Sequence, residues 1–364
     1  VLLFISSHGF GQYKYYYGNL HAHTAFSDGN KDHVKTKVSD PAGSFAFASH
    51  SPNFNFLGIS EHNHTSAGMH LSDFGKGVTQ AGKANKDGKF VCLYGMEFGV
   101  IKNGGHVLVY GVKDLIGWDN NNFTIECDQN DYSSLWGIIN DHPGAFATLA
   151  HPTNTDFNSL LTSPYSKEAD KAICGVAINT GPAFSEDTSH DDKPSKRFVD
   201  YFRGMLALGY HLGPTIDHDN HYLTFGRMAS SRTVILSKEL SRDSIMAAYR
   251  QMRFFASEDW NVKVSFVINN FPMGAQINTL SIVNIKVQVT DPDPGDDVKS
   301  IRIMFGVPGS KTVSTVLSGG SNTNSNSLQC SHSPKKGESF YYYAEITQKD
   351  GDRIFTSPIW VRRL

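Results

Sequence analysis

Between residues 18 and 225 the chain repeats one format: a short apolar run stopped by a histidine, a glutamate or an aspartate. Phe56-Leu57-Gly58-Ile59-Ser60 runs into Glu61-His62-Asn63-His64, Phe90 to Met96 into Glu97, and Ala145 to Ala150 into His151, where Pro152 prevents continuation. Runs of this length, bounded by Gly, Pro and Asn, predict buried strands. Gly104-Gly105 leads into His106-Val107-Leu108-Val109-Tyr110, where the histidine opens the strand, and Ala172 to Asn179 predicts a strand without an ionisable end. Helical spacing interleaves them. It predicts helices around Ala42–Ala48, over Asp131 to Asn140 with Asp131 as cap, over Arg197 to Leu208 with Gly209 as stop, and over Ser241 to Phe255. Residues 65–89, rich in Gly, Lys, Ser and Asp, predict a mobile connection, and the polar stretch from Gly181-Pro182 to Lys196 predicts disorder.

From about Val262 the pattern changes to short alternating β runs separated by turns such as Asp291-Pro292-Asp293-Pro294-Gly295. Strand-helix alternation before that point predicts a (β/α) barrel, and the runs after it a small all-β sandwich-like domain without catalytic residues. The expected division is an N-terminal segment, 1–17, a barrel, 18–260, and a β domain, 261–364.

The stops of the runs carry the candidate chemistry. In Leu20-His21-Ala22-His23-Thr24 an extended backbone puts both imidazoles on one face. Asp28 follows closely, and Asp219 and His221 repeat the two-apart spacing inside Asp217-His218-Asp219-Asn220-His221. A carboxylate at the end of an apolar run, as at Glu97, is costly to bury without a cation. His21, His23, Asp28, His62, Glu97, His106, His151, Asp219 and His221 form a set too large for one ion and suited to two or three. A core histidine satisfied by a neighbour is the plain alternative for His106, as surface placement is for Glu61 and His64. Arg227 and Arg232 follow the last motif and are candidates to neutralise a substrate anion.

Composition narrows the partners. A formal net charge of -2 with 19% charged residues gives no bulk field for nucleic acid or an anionic membrane. No stretch approaches the ~20 apolar residues of a membrane span. Val1 to Gln12 reads as the tail of a signal peptide, which predicts a periplasmic or secreted protein; a buried N-terminal strand is the alternative. Cys92 and Cys174 sit in apolar runs as core thiols, Cys127 and Cys330 in polar surroundings, and no disulfide framework is indicated.

The ordered motifs Leu20-His21-Ala22-His23-Thr24 with Ser27-Asp28-Gly29, Glu61-His62-Asn63, Gly95-Met96-Glu97, His106-Val107-Leu108, Ala150-His151-Pro152 and Asp219-Asn220-His221 together resemble the PHP (polymerase and histidinol phosphatase) superfamily, in its CehA/McbA-type metallohydrolase branch. The resemblance implies a distorted, seven-stranded, TIM-like (β/α) barrel with a di- or trinuclear centre of Zn, Mn or Fe. It places His21, His23, Glu97 and Asp219 on one metal, Glu97, His106 and His151 on a second, and Asp28, His62 and His221 on a third. Two departures stand out: Ser60-Glu61-His62 where the family has Thr-Asp-His, and Asp217 to His221 where it has Gly-Ser-Asp-x-His, which makes Asp217 and His218 candidates for extra ligands or acid/base groups.

The implied activity is a metal-dependent phosphoesterase, on mono- or diesters, with a metal-bridged hydroxide as nucleophile. Arg232 or Arg227 would take charge on the non-bridging oxygens, and His218 or His64 would protonate the leaving group. A carboxylic ester, carbamate or amide hydrolase on the same centre is the alternative. A binding module, with the β domain holding a glycan or a partner protein beside a residual barrel, is the third.

Overall fold

The computed structural model describes residues 13–102, 104–320 and 324–364. The signal-peptide-like segment, residues 1–12, lies outside them. Lys14–Asn19, partly inside the expected N-terminal segment, is a strand paired with Arg232–Ser237 and Phe56–His62.

The strands do not form a (β/α)7 barrel. They join a 16-stranded mixed sheet whose main path runs from Gly213–Asp217 through Ile173–Thr180, Phe146–Ala150, His106–Tyr110, Val91–Phe98, Phe56–His62, Lys14–Asn19, Arg232–Ser237 and Phe254–Ser257, then on through Arg353–Thr356 and Ser339–Gln348 to Val298–Gly306 and Thr315–Gly319. A barrel of that class needs parallel strands, each followed by a covering helix, closing on themselves. Here the sheet runs on through Arg232–Ser237 and Phe254–Ser257 into the C-terminal strands, and His106–Tyr110 is antiparallel to both neighbours. The cause is local. Only residues 99–105 separate Phe98 from His106, too few for a crossover, and Gly99, Gly104 and Gly105 take positive φ to reverse the chain. A run ending in a histidine looks the same in sequence whether the next strand is parallel or antiparallel.

The β-rich end is likewise not a separate sandwich. Lys263–Ile268, Val283–Thr290 and Ser327–His332 form a small sheet with Phe271–Pro272. Val283–Thr290 buries alternate residues, and Val264, Phe266, Ile285 and Val287 share a core with Ile301, Ile303, Tyr342 and Ile346 of the large sheet. That core also takes in Tyr17, Val234 and Phe255, and the ladder between Phe254–Ser257 and Arg353–Thr356 crosses the expected boundary at 260/261.

Among the described residues there are eight α-helices, none long and apolar enough to cross a membrane. Asp40, Asp131 and Ser241 cap Pro41–Ala48, Tyr132–Asp141 and Arg242–Arg250 by accepting a backbone N–H. The last helix stops short of the expected Phe255 because the chain turns into the strand Phe254–Ser257. The expected mobile connection at 65–89 instead holds the helix Leu71–Ala84. Its glycines mask a sparse buried stripe of Phe74, Gly77 and Ala81; a Cβ on Gly77 would lie 2.0 Å from the Tyr94 ring, so only glycine lets this helix approach the sheet. Residues 183–196, expected to be disordered, are described here, with Asp191 bridging Ala229. All four cysteines are free, and Cys127 is buried despite its polar neighbours in sequence.

Candidate metal centre

The site lies where the strands Lys14–Asn19, Phe56–His62, Val91–Phe98, Phe146–Ala150 and Gly213–Asp217 end together. Parallel register sets His62 beside Glu97, and antiparallel register sets His106 beside Ala150, one residue before His151. His23 N–H donates to Asn220 O and Asp219 N–H to His21 O, so the first and last motifs are stitched to each other. Nine side chains from six separate motifs are thus brought together.

Glu97 is its centre. Its buried carboxylate stands 3.0 Å from His21 Nε2, 3.2 Å from His23 Nε2, 3.2 Å from His62 Nδ1, 2.8 Å from His106 Nδ1 and 3.2 Å from His151 Nε2. Asp219 Oδ1 lies 3.2 Å from His21 Nε2 and 3.3 Å from His23 Nε2, and Asp28 Oδ1 lies 3.2 Å from His221 Nε2 and 3.6 Å from His62 Nε2. Three sets of ligand atoms fall within 4.8 Å: His21, His23, Glu97 and Asp219; His62, Glu97 and His106; His23, Asp28, His62 and His221. His151 joins the second set through Glu97 and through His106 Nδ1, 3.4 Å away.

These groups could hold metal ions, and the donor atoms fit that role. His21 Nε2, both ring nitrogens of His23, His62 Nδ1, Asp28 Oδ1 and Glu97 Oε2 are buried without a hydrogen-bond partner, although opposite atoms lie about 3 Å away. Leaving so many buried polar atoms unpaired is expensive. Ligands on one ion at ~2.0–2.2 Å stand roughly 3–3.5 Å apart, aimed at the ion and not at each other. That is the spacing seen. His151 and Asp219 also carry positive φ, 27° and 56°, a backbone cost that sites of function tolerate.

The surroundings fix the rings. His21 Nδ1 lies 3.1 Å from Asp217 Oδ2, which turns Nε2 toward Glu97 and Asp219. His221 Nδ1 lies 2.8 Å from Asp219 O, leaving Nε2 for Asp28. Asp217 lies outside the three groups that could hold a metal and instead orients His21, a member of one of them. Glu61, buried, accepts from Thr24 N–H and from the hydroxyls of Thr24 and Ser27, and so holds the loop that carries Asp28. Polar positions beside a motif gave no sign of either role. We expect Asp217→Asn to weaken metal binding by about 10–100-fold with the fold intact, as measured by competition with a chromogenic chelator.

The four proposed catalytic groups fare differently. Arg232 is buried, with its guanidinium on the carbonyls of Asn53, Gly226, Ala229 and Ser231, so it is a structural cation that faces no substrate. Arg227 is held by Ser51 Oγ and His50 O over the Phe47 ring. His218 Nε2 donates to Ser231 O; burial, with Arg232 adding to it, pushes its pKa down to about 3, so the ring is neutral at neutral pH, its one N–H is held by Ser231 O, and it has no imidazolium proton for a leaving group. His64 remains near the cluster, with its ring 5.6 Å from that of His62 and stacked on Trp118. Burial and then His106 lower its pKa, which suits a proton acceptor better than a donor. A cation that the sequence reading passed over sits closer: Lys31 Nζ is 3.3 Å from Asp28 Oδ2 and lies over the ring of exposed Phe184, which packs on His221. Its only signal was its place three residues after Asp28.

Protons stand in for cations in the chelated protein. Burial opposes a charge on His23, but the carboxylates of Asp219 and Glu97, 3.3 and 3.2 Å from its Nε2, outweigh it and raise its pKa to about 9. His21 is raised by Glu97 and Asp219 in the same way, against burial. His23 therefore holds a proton at pH 7.5, His21 is biased the same way, and a metal must expel such protons. Loading is expected to release up to about one proton per ion at pH 7.5 and fewer as pH rises through about 9, as read by calorimetry in buffers of different ionisation enthalpy. A raised imidazole pKa stabilises the chelated fold fully below the unfolded value of 6.5 and ceases to do so as pH rises through about 9. Chelated protein should therefore lose stability across that window.

No family model matches the chain. An uncharacterized protein of Chlamydia muridarum is 23% identical over 183 residues, which is 47% of this chain and 29% of that protein, so the chain spans under a third of that relative's length. Among solved structures, a superoxide reductase (neelaredoxin) from Ignicoccus hospitalis is 14% identical with a TM-score of 0.22 over 28% of this chain and 80% of its own. Fibronectin(III)-like modules of Clostridium thermocellum CbhA are 19% identical, TM-score 0.18, over 28% of this chain and 96% of theirs. An engineered protein matches over 94% of this chain and 93% of its own at 10% identity and a TM-score of 0.21.

Proposed function

We propose that this chain is a metal-dependent hydrolase of phosphoesters, working with two or three divalent ions of Zn, Mn or Fe. The convergence of buried, unpartnered nitrogen and oxygen atoms on Glu97 carries this reading. Bound divalent ions supply Lewis acidity and make a nucleophile from water near neutral pH. Glu97 offers an oxygen to each side of the cluster and so ties its halves together. Asp217 holds His21 in one tautomer, and Glu61 fixes the turn that brings Asp28 to His62 and His221. Lys31 is the cation placed to meet a substrate anion at the rim, and Phe184 and Trp118 give it apolar walls. His64, beside Trp118 and His62, is placed to accept a proton.

One observation favours the second reading, a carboxylic ester, carbamate or amide hydrolase. Arg227 and Arg232 are both committed elsewhere, so the ligand cluster receives less positive charge than a dianionic phosphomonoester asks for. A phosphodiester or a neutral ester needs less. Hydrolysis of a phosphomonoester, a phosphodiester and a carboxylic ester by metal-loaded and chelated protein separates them. Metal-dependent phosphate-ester cleavage is the expected result, with the diester ahead of the monoester. Ester turnover alone would install the second reading, and protein that retains no metal would end both.

A further inference from the structure

A cavity of about 550 Å³ opens beside the metal centre, where the C-terminal strands meet the first part of the chain. Pro152, next to the ligand His151, lines one wall, and the start of the helix Val199–Leu208 lines another. Four arginines reach it: Arg197 and Arg203 from the first part, Arg302 and Arg353 from the C-terminal strands.

Two buried carboxylates meet the four guanidiniums. Glu258 Oε1 is 3.1 Å from Arg197 and 3.3 Å from Arg353, while Glu345 is 2.5 Å from Arg203 and 2.6 Å from Arg302. One guanidinium neutralises one carboxylate, so two positive charges are left over. Among the described residues the only other acid ion-paired with these arginines, Asp200, has a side chain 99% exposed and is screened by water. A single arginine matches the charge of each glutamate, so the second on each leaves positive charge and guanidinium N–H groups accessible in the cleft, where the four side chains are 26–45% exposed. The adjoining helix begins at Phe198, which provides no side-chain cap, so its first amides also favour negative charge on that side.

We propose that this cleft is an oxyanion subsite, which takes a phosphate- or sulfate-type group carried by the substrate at the end away from the bond that is cleaved. That the occupant belongs to a substrate rests on the hydrolase reading; that the cleft binds an oxyanion does not. Guanidinium forks match tetrahedral oxyanions with paired hydrogen bonds. The subsite also gives the C-terminal strands a task, since they bring half of its arginines.

Arg197→Gln and Arg302→Gln, singly and together, are the variants to use. Both side chains are roughly half exposed, and each leaves its glutamate a second arginine, so the fold should survive. Sodium sulfate, titrated against sodium chloride at constant ionic strength, should bind the wild type saturably by calorimetry and the double variant at least about tenfold more weakly. Alkane-α,ω-bisphosphonates of three to eight carbons, which no phosphoesterase can cleave at the C–P bond, should bind metal-loaded protein at least about tenfold tighter than alkylphosphonates at some chain length. That advantage should vanish in the double variant. Absent sulfate binding, or equal binding by variant and wild type, would overturn the subsite. Sulfate binding without a bisphosphonate advantage at any length would sever it from the substrate. Neither readout needs turnover, so a protein that hydrolyses nothing would refute the function above and leave this test standing.

Discussion

Replacing Glu97 by glutamine should remove at least one equivalent of metal and lower hydrolysis by ~10³-fold or more, on the order of 4 kcal/mol of transition-state stabilisation. The substitution is isosteric, so the strand Val91–Phe98 and its ladder to Phe56–His62 should stay in place. What it removes is charge. The five histidines within 3.2 Å of the carboxylate would face an amide, which can offer one oxygen where the carboxylate offers two. Glu97→Asp keeps the charge but withdraws it by one methylene, so it should retain more metal than Glu97→Gln and still fall well short of wild type. Elemental analysis of purified protein, with far-UV circular dichroism to confirm the fold, reads both. Full metal content and full activity in Glu97→Gln would remove the carboxylate from the centre.

The ligand atoms that converge on Glu97 come from residues legible in the sequence, because a buried ionisable group at the end of an apolar run has few uses. His21, His23, Asp219 and His221 are read from their spacing, and the structure gathers them with Glu97 and Asp28. The fold that gathers them was not legible. Strand-ending histidines mark strand ends, not strand direction, and the glycines at 99, 104 and 105 that reverse the chain before His106 resemble any turn. Nor did the pattern show that Phe254–Ser257 would pair with Arg353–Thr356 across almost a hundred residues, fusing two apparent domains into one sheet. Long-range pairing depends on which edges are left open, and one strand's composition does not record that.

The arginines show the same limit from the chemical side. Nearness in sequence to Asp219 and His221 made Arg227 and Arg232 look catalytic, whereas the arginines that converge on a cleft, Arg197, Arg203, Arg302 and Arg353, are spread over more than 150 positions and are assembled only by folding. Likewise Asp217 and Glu61, which position ligands, look in sequence like ordinary polar flanks of a motif.

Arg232→Met should destabilise the protein by about 4 kcal/mol while the folded fraction keeps its metal. The guanidinium is fully buried and donates to Asn53 O at 3.2 Å, Ala229 O at 2.7 Å, and Gly226 O and Ser231 O at 2.8 Å. Methionine fills the volume and takes the guanidinium donors away from the carbonyls of Asn53, Gly226 and Ala229, while Ser231 O keeps His218 Nε2. Each costs on the order of 1–3 kcal/mol, less whatever the loop recovers by relaxing. Lysine should rescue little, since one ammonium on a flexible stem cannot fan out to four acceptors. Burial lowers the pKa of Arg232 to about 9, which still leaves it charged at neutral pH, and its cation lies 5.1 Å from the Phe54 ring. Urea titration of Arg232→Met and Arg232→Lys, with metal analysis and turnover on the folded protein, tests this. A catalytic arginine would instead show the opposite split: stability near wild type and turnover lost. The expected split follows from where the side chain ends, on the backbone of the loop 220–231 and of Asn53. By tying that loop down, Arg232 holds His221 and Asp219 in the candidate metal-binding cluster without touching it.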